Sequence, residues 1–516
     1  MKLNNKRTIL VGFAFFLILA FWQAYDTIIP LILTNKFGMS QFWSGVIMAL
    51  DNVLALFLLP LFGTLSDKHK GKSGRRTPFI RFGTIAAVIL LVALTFADTA
   101  QLKQISAVST VDDPAALELI YDTQADRELV KPNKEKATLQ EERFILSEEI
   151  SREDFVAIVS TFEENGKTVT NPDYVNFVVP ARQSYVWQIT SQSPQPLILF
   201  VGILLLLLLA MAIFRSPAVA LMPDVTVKPL RSKANAIINL MGYIGGIFVM
   251  VLGMVFSTGA TENYMMSYTG YFFAVAGLML VALTVFLATV REPKWVNEMQ
   301  EESIRLGLTD ADEPETGAKR KLSASEKCSL LLVLASVVLW YFGYNAISSK
   351  YSVYATNILG KDFNLTLTIG TAAAIISFVP VGILSSKIGR KKAILMGVAL
   401  LAAAFCCAIF VGPNSSDIVI YAIFVLAGIA WATINVNSFP MVVEMCSASD
   451  VGKYTGYYYT ASMAAQTLTP LLSGYMMDKL GMGILFPYAA IFVAGSFVTM
   501  LFVKHGDAKP EITLNA

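Results

Sequence analysis

The 516-residue chain is poor in histidine, cysteine and charge: it holds two His and four Cys, and only 15% of its residues are Asp, Glu, Lys or Arg. Ordinary soluble domains carry about 25% charged residues. His69 and His505 both lie outside the long apolar runs, so no histidine stands where a proton crossing a membrane would need it. Cys328, Cys406, Cys407 and Cys446 fall in or beside apolar runs, and residues 98–193 contain none, so no disulfide framework is expected there. A glycine-rich phosphate loop, a metal-ligand cluster and a nucleophile–base pair are all missing. Almost nothing therefore supports an enzyme, and no cofactor and no nucleic-acid partner are expected.

Apolar sequence fills the gap. Hydrophobic residues make up 55% of the chain, with a mean hydropathy of +0.58. They come in blocks of about 20, the length a helix needs to cross a ~30 Å hydrocarbon core. Twelve candidate spans result: 8–33, 41–63, 77–97, 195–222, 233–257, 268–290, 328–350, 365–385, 393–412, 418–444, 453–476 and 482–503. The first is too long for a cleaved signal peptide, and no small-residue cleavage site follows it.

The expected fold is an all-α polytopic membrane protein with twelve transmembrane helices in two pseudo-repeated six-helix bundles. A small soluble α+β insert is expected between helices 3 and 4. The parts are then 1–97 (helices 1–3), 98–193 (insert), 194–290 (helices 4–6), 291–327 (linker), 328–503 (helices 7–12) and 504–516 (tail).

Basic residues in short loops set orientation. Lys2, Lys6 and Arg7 precede the first span, and Lys68, Lys70, Lys72, Arg75 and Arg76 follow the second. Lys319, Arg320 and Lys321 lie in the linker, and Lys387, Arg390, Lys391 and Lys392 follow the eighth span. Both termini are thereby expected in the cytoplasm of a cell whose plasma membrane holds the chain, with the insert outside. The insert has 9 basic and 17 acidic residues, a net of −8, so the overall +2 hides two oppositely charged parts. Within it "DPAALELIYD" and "LQEERFILSEEISREDFVAIVSTF" read as helical, "DYVNFVVP" and "QSYVWQIT" as strands, and "SQSPQP" as the return linker. Asn364-Leu-Thr and Asn414-Ser-Ser match glycosylation acceptors in outer loops.

The chain also repeats itself. "WQAYDTI" at 22–28 echoes "WYFGYNAI" at 340–347, with Tyr25–Asp26 over Tyr344–Asn345 at an offset of 319. "GTLSDK" at 63–68 echoes "GILSSK" at 382–387 at the same offset. "FRSPAVALMPD" at 214–224 loosely echoes "NSFPMVVEM", with Pro217 over Pro440 at an offset of 223; the drop of 96 is about the length of the insert. Two six-helix halves, with the insert only in the first, account for these offsets.

The loop "GTLSDKHKGKSGRR" at 63–76 resembles the signature between helices two and three of the major facilitator superfamily, and "GILSSKIGRKK" at 382–392 resembles its degenerate second copy. Gly63 allows close helix approach, while Asp67 with Arg75 and Arg76 can pair or cap helix ends as the halves rock. Gly382, Gly389 and Arg390 are the second-copy counterparts, with Ser386 replacing the acid. "GRRTPF", "LDNVLALFLLPLFGTLSD" and "RSPAVALMPDVT" are similar to one branch, the glycoside–pentoside–hexuronide:cation symporters and the related sucrose and maltose:proton carriers. The resemblance covers the twelve spans but not the insert. It implies a glycoside or small sugar moved with H⁺ or Na⁺. Sodium-coupled members carry a second acid one turn after the first on helix two; here that position is Ala55, which favours the proton.

Two carboxylates sit inside apolar spans. Asp26 is about seven residues, or ~11 Å, from the outer end of helix one, and Asp51 about ten, or ~15 Å, from the outer end of helix two. Sequential helices are usually neighbours, so the pair is expected at similar depth. Intramembrane carboxylates are costly and mark ion pathways; Asp26 and Asp51 are the expected proton carriers. Trp22 and Asp26 share a helix face. Trp22, Gln23, Tyr25, Asp26 and Asn52 offer an aromatic face and polar groups to a sugar, with Trp340, Tyr344 and Asn345 as repeat counterparts. Asn239 and Tyr243 on helix five and Trp431 and Asn435 on helix ten are further candidates. For each aromatic the plain alternative is interhelical packing or the interfacial belt. Lys350 is placed near the outer end of helix seven, where it can snorkel or gate. Arg215, Asp224, Arg231 and Glu444 read as cytoplasmic gate or anchor residues.

The function expected is proton-coupled uptake of a disaccharide or glycoside by a monomeric carrier. A lysolipid or amphiphile carrier shares the architecture, and a sensor using the insert is a third class. A cavity walled by Phe and Leu with few amides would favour the amphiphile; Trp, Gln, Asn and Asp would favour sugar.

Overall fold

The computed structural model describes residues 3–131, 143–164, 167–227, 230–305, 323–443, 445 and 451–506. The first half begins with α1 (Asn5–Leu31), α2 (Gln41–Lys68) and α3 (Thr77–Gln104). The insert follows with α4 (Pro114–Gln124), β1 (Glu128–Val130), β2 (Arg143–Ile145), α5 (Leu146–Glu149), α6 (Arg152–Val156), β3 (Thr161–Glu164), β4 (Lys167–Thr170) and α7 (Val179–Gln192). Next come α8 (Gln195–Asp224), α9 (Arg231–Val255), α10 (Thr269–Thr289) and α11 (Glu292–Arg305). The second half is α12 (Ala324–Tyr354), α13 (Phe363–Ile388), α14 (Arg390–Ile409), α15 (Asp417–Val443), α16 (Val451–Leu480) and α17 (Leu485–Leu501).

Among the described residues ten helices are long and apolar enough to cross a membrane. Two expected spans are not among them. α13 is 26 residues long, with Phe363–Phe378 the continuous apolar stretch among its described residues, and α16 carries Lys453, Gln466 and Asp478 along a helix of lower hydropathy. Each half has the same irregularity in the same place. α1 runs into a π-helical turn at Ile32–Lys36, and α12 into one at Ala355–Leu359.

The insert has a hydrophobic core of its own, separate from that of the bundle, in which Leu117, Ile120, Phe144, Phe155, Tyr174 and Val186 meet Tyr264 and Met265 from the α9–α10 connection. The antiparallel hairpin β1–β2 contributes Leu129 and Phe144 to it, and β3–β4 forms a second antiparallel hairpin. Two sequence expectations fail here. Residues 173–180 and 183–190, expected as strands, lie in a π-helical turn, Tyr174–Val178, and α7. Their β-branched and aromatic residues pack into a core rather than onto a sheet. Arg182 on α7 is fully buried and donates to the Val108, Thr110 and Val111 carbonyls at 2.7, 3.1 and 2.6 Å, which ties that helix to the start of the insert. The stretch 139–162, expected as helical and described from residue 143, breaks into β2, two short helices and the start of β3, because Ile150 is extended and Ser151 caps a fresh helix by accepting from the Asp154 amide. The return linker is also shorter than expected: α7 ends at Gln192 and α8 begins at Gln195.

The insert is anchored beside a buried ion pair. Lys36 Nζ meets Asp98 Oδ1 at 2.5 Å with both side chains fully enclosed. The ammonium also lies 4.3 Å from the centre of the Tyr268 ring, and the Tyr268 amide donates to Asp98 Oδ2 at 3.2 Å. Removing one partner of such a pair leaves an uncompensated buried charge, costing about 3–5 kcal/mol. Lys36→Met is expected to lower the apparent Tm of the detergent-solubilised protein strongly, and Lys36→Met with Asp98→Leu to restore most of it. Equal losses in the single and double variants would rule this account out.

Candidate transport site and gates

In the first half, Trp22 of α1, Asp51 of α2 and Arg215 of α8 line one small cavity of about 10 Å³, closed by Leu54, Leu59 and Met211. The Arg215 guanidinium lies 5.2 Å from the centre of the Trp22 ring. Asp26, Asp51 and Arg215 act on one another electrostatically. Asp51 Oδ1 accepts from Asn52 Nδ2 at 2.8 Å. Tyr25 is buried against Phe21 and Trp22, at ring separations of 6.0 and 5.3 Å. The Trp22 Nε1 and Tyr25 hydroxyl are buried without a hydrogen-bond partner among the described residues. Gln23 lies against Gly246 of α9. Arg215 thus belongs with the carboxylates, not with the helix-end residues the sequence grouped it with. It stands nine residues before the end of α8, about 14 Å along the helix from Asp224.

In the second half, Tyr344 of α12 stacks flat on Trp431 of α15, centroids 3.6 Å apart and planes 1° apart, and Tyr341 meets the same indole edge-on at 5.3 Å. Tyr344 and Trp431 join Tyr243 of α9 around a cavity of about 90 Å³, whose remaining walls are mainly apolar, with Phe405, Phe424, Phe486 and Leu367. Tyr243 comes from the first half, so this cavity lies between the halves. Other candidates stand apart from it. Trp340 is fully enclosed in the core. Asn239 donates to the Asn235 carbonyl and Asn435 to the Trp431 carbonyl, each within its own helix. Asn345 Nδ2 is buried without a partner among the described residues.

The loop after α2 forms a charged clamp within the first half. Arg75 holds Asp224 through two bonds at 2.6 and 3.1 Å, and Arg76 Nε reaches the same carboxylate at 2.8 Å. Arg76 also bonds Asp67 and the Ser66 hydroxyl. Glu292, missed by the sequence reading, is the buried centre of this clamp. Its carboxylate accepts from the Arg75, Arg76 and Thr77 amides at 2.8, 2.8 and 2.7 Å and so caps the start of α3. A Cβ on Gly63 would stand 2.9 Å from Ser216 Oγ on α8, whereas one on Gly382 in the second copy would meet nothing within 4 Å among the described residues. Gly389 has φ +91° at the α13–α14 turn, which Arg390 follows. The Arg231 side chain and Glu444 lie outside the described residues, as do Lys319, Arg320 and Lys321.

The halves close on each other at the insert end. Lys350, expected to snorkel or gate, is fully buried and donates to the Gln41 carbonyl at 2.8 Å, where the first residue of α2 meets that end of α12. Asp478 of α16 accepts from the Gln41 and Phe42 amides at 2.7 Å each, capping α2 from the other half. Asn357 and Asn35, from the two π-helical turns, share a 3.1 Å bond. Asn364 is buried and bonds Thr258 and Asp362, which leaves no room for the glycan its sequon suggested. Burial holds the Asp362 carboxyl above its ordinary range, partly offset by the Asn364 amide.

Helices of this kind, two charged or aromatic clusters within them and one sealed end define a membrane carrier. A family model described as Major Facilitator Superfamily matches residues 184–378 and 333–515, and one described as MFS/sugar transport protein matches residues 10–108. The chain belongs to the Major Facilitator Superfamily, a family of membrane transporters. Its fold is similar to the inward-open xylose transporter XylE from E. coli, at TM-score 0.54 and 14% identity over 98% of this chain and 97% of that one. It is also similar to the nucleoside transporter NupG, at 0.52 and 11% over 96% and 100%. A bacterial homologue of ferroportin gives 0.56 and 11% over 97% and 99%. No curated protein matches the sequence.

Proposed function

We propose that this transporter is a proton-coupled carrier of a glycoside or disaccharide, taking it up by alternating access through the plasma membrane as a monomer. The reading takes α13 and α16 as the eighth and eleventh spans, which brings the total to twelve, with both termini cytoplasmic and the insert outside. It also takes the sequence resemblance to the glycoside:cation branch at its word.

The observation that carries it is a count of charges. Asp26 and Asp51 are two carboxylates facing one guanidinium, Arg215. In a low-dielectric site one negative charge is left over, and a proton neutralises it at less cost than a bare carboxylate crossing the membrane. The Tyr344–Trp431 stack beside Tyr243 supports a sugar, since flat rings meet its C–H faces.

The phenylalanines and Leu367 around that cavity, and the lack of an amide among its lining residues, favour the second reading, an amphiphile carrier. The test is external pH in lightly buffered, de-energised cells given maltose, sucrose and other glycosides one at a time. Alkalinisation with one sugar, abolished by Trp431→Ala, supports proton–sugar symport. Silence to every sugar, with flux of a labelled lysophospholipid, would replace it with the amphiphile reading.

A further inference from the structure

A cavity of about 470 Å³ lies neither in the bundle nor in the insert but on the seam between them and the second half. Its walls come from three parts: the start of α2 with its cap Ser40 and Trp43, the insert with Glu128, Lys131 and Trp187, and the end of α16 with Asp478. Its volume is within the ~300–1,000 Å³ of small-molecule sites. Two indoles are exposed in it, Trp43 at 55% and Trp187 at 42%. The insert is held over the seam by Thr170, whose hydroxyl donates to the Gly360 carbonyl at 2.7 Å and lies 2.9 Å from that of Thr261.

The charges lining this cavity are already balanced. Glu128 pairs with Arg143 at 2.9 Å, Lys131 with Glu149 at 2.9 Å, and Asp478 caps two α2 amides. Among the described residues an ionic ligand would therefore find no unpaired charge to neutralise. Exposed indoles amid paired polar groups suit a neutral, polyhydroxylated ligand, whose C–H faces lie on the rings while hydroxyls share the polar rim.

We infer that this seam cavity is a second saccharide site, present only while the insert end is closed. The inference rests on the sugar reading proposed above. Opening the seam would draw Asp478 and α16 away from Trp43 and Trp187 and dismantle the site. An occupant binds one state alone, and so shifts the population toward it. Saccharide in this site holds the outer seam shut and slows transport, which makes the carrier self-limiting at high external sugar.

The test is calorimetric titration of the purified full chain with maltose and with sucrose, on wild type, Trp187→Ala, Trp43→Ala and Trp431→Ala. Both seam tryptophans are exposed, so either replacement leaves a foldable chain, and a monodisperse elution profile checks it. The expected result is that Trp187→Ala or Trp43→Ala weakens one binding event about tenfold, the loss of an aromatic anchor, while Trp431→Ala spares that event. Uptake by the seam variants at low sugar should match wild type, without the slowing at high sugar. Binding lost only in Trp431→Ala would overturn the seam site and leave the sugar reading standing. No binding of either sugar to wild type overturns the seam site whatever the pH assay shows.

Discussion

Asp51→Asn is expected to abolish concentrative uptake while leaving passive exchange of the same sugar across the membrane. With Asp51 neutral, Asp26 and Arg215 remain as one carboxylate and one guanidinium, a pair already balanced without any proton. The loaded and unloaded carriers then reorient equally well, and nothing ties sugar movement to the proton gradient. A membrane potential of 100 mV supplies about 2.3 kcal/mol per proton, or about 50-fold accumulation. In proteoliposomes at that potential the accumulation ratio should fall from tens to about one, with counterflow of labelled sugar preserved. Asp26→Asn should act in the same way, since the count is symmetric. Arg215→Met differs, because it leaves two carboxylates and no counter-charge, and should stop reorientation in the unprotonated state. An Asp51→Asn carrier that still accumulates sugar would remove Asp51 from coupling and with it the charge-count argument.

Sequence legibility followed the range of the interaction. Ten of the apolar blocks were readable because a membrane span is a local property, length and hydropathy in one window. The Arg75–Arg76–Asp67–Asp224 clamp was half readable. Its loop carries a motif, and Asp224 was a candidate, but Glu292 at its centre is more than 200 residues from the amides it caps. "REPKW" at 291–295, an acid just after an apolar run, was the signal available.

Arg215 was misplaced although the expected span 195–222 enclosed it, because its partners Trp22 and Asp51 come from other helices and only tertiary contact brings them together. The insert was least legible. Its segments are short, and what fixes α7 as a helix is tertiary: burial of Tyr174 and Val186 and the Arg182 bonds to distant carbonyls. Local propensity cannot anticipate such contacts.

The seam between α2 and α16 leads to the second large effect: Gly45→Leu should arrest the carrier with its insert end open. A Cβ on Gly45 would stand 2.1 Å from the Pro470 carbonyl oxygen and 2.6 Å from its carbon, and one on Gly474 2.3 Å from the Gln41 oxygen. These neighbours are backbone atoms, so no rotamer change relieves the clash, and the helices must part. Parting them breaks the Lys350 bond to Gln41 and the Asp478 cap on α2 together, since both rest on the same approach. The closed state loses its packing and its polar seal at once.

Overpacking of this kind costs about 1–3 kcal/mol, and the two lost polar contacts add to it, so turnover should fall about 100-fold. Gly45→Ala should fall between Gly45→Leu and wild type. Accessibility reports the state directly. Cysteine placed at Asn357, buried beneath the seam against Asn35, should react slowly with an impermeant maleimide added outside, and quickly once Gly45→Leu is present. Wild-type turnover in Gly45→Leu, or labelling unchanged by it, would mean that this seam is not a state the transport cycle passes through.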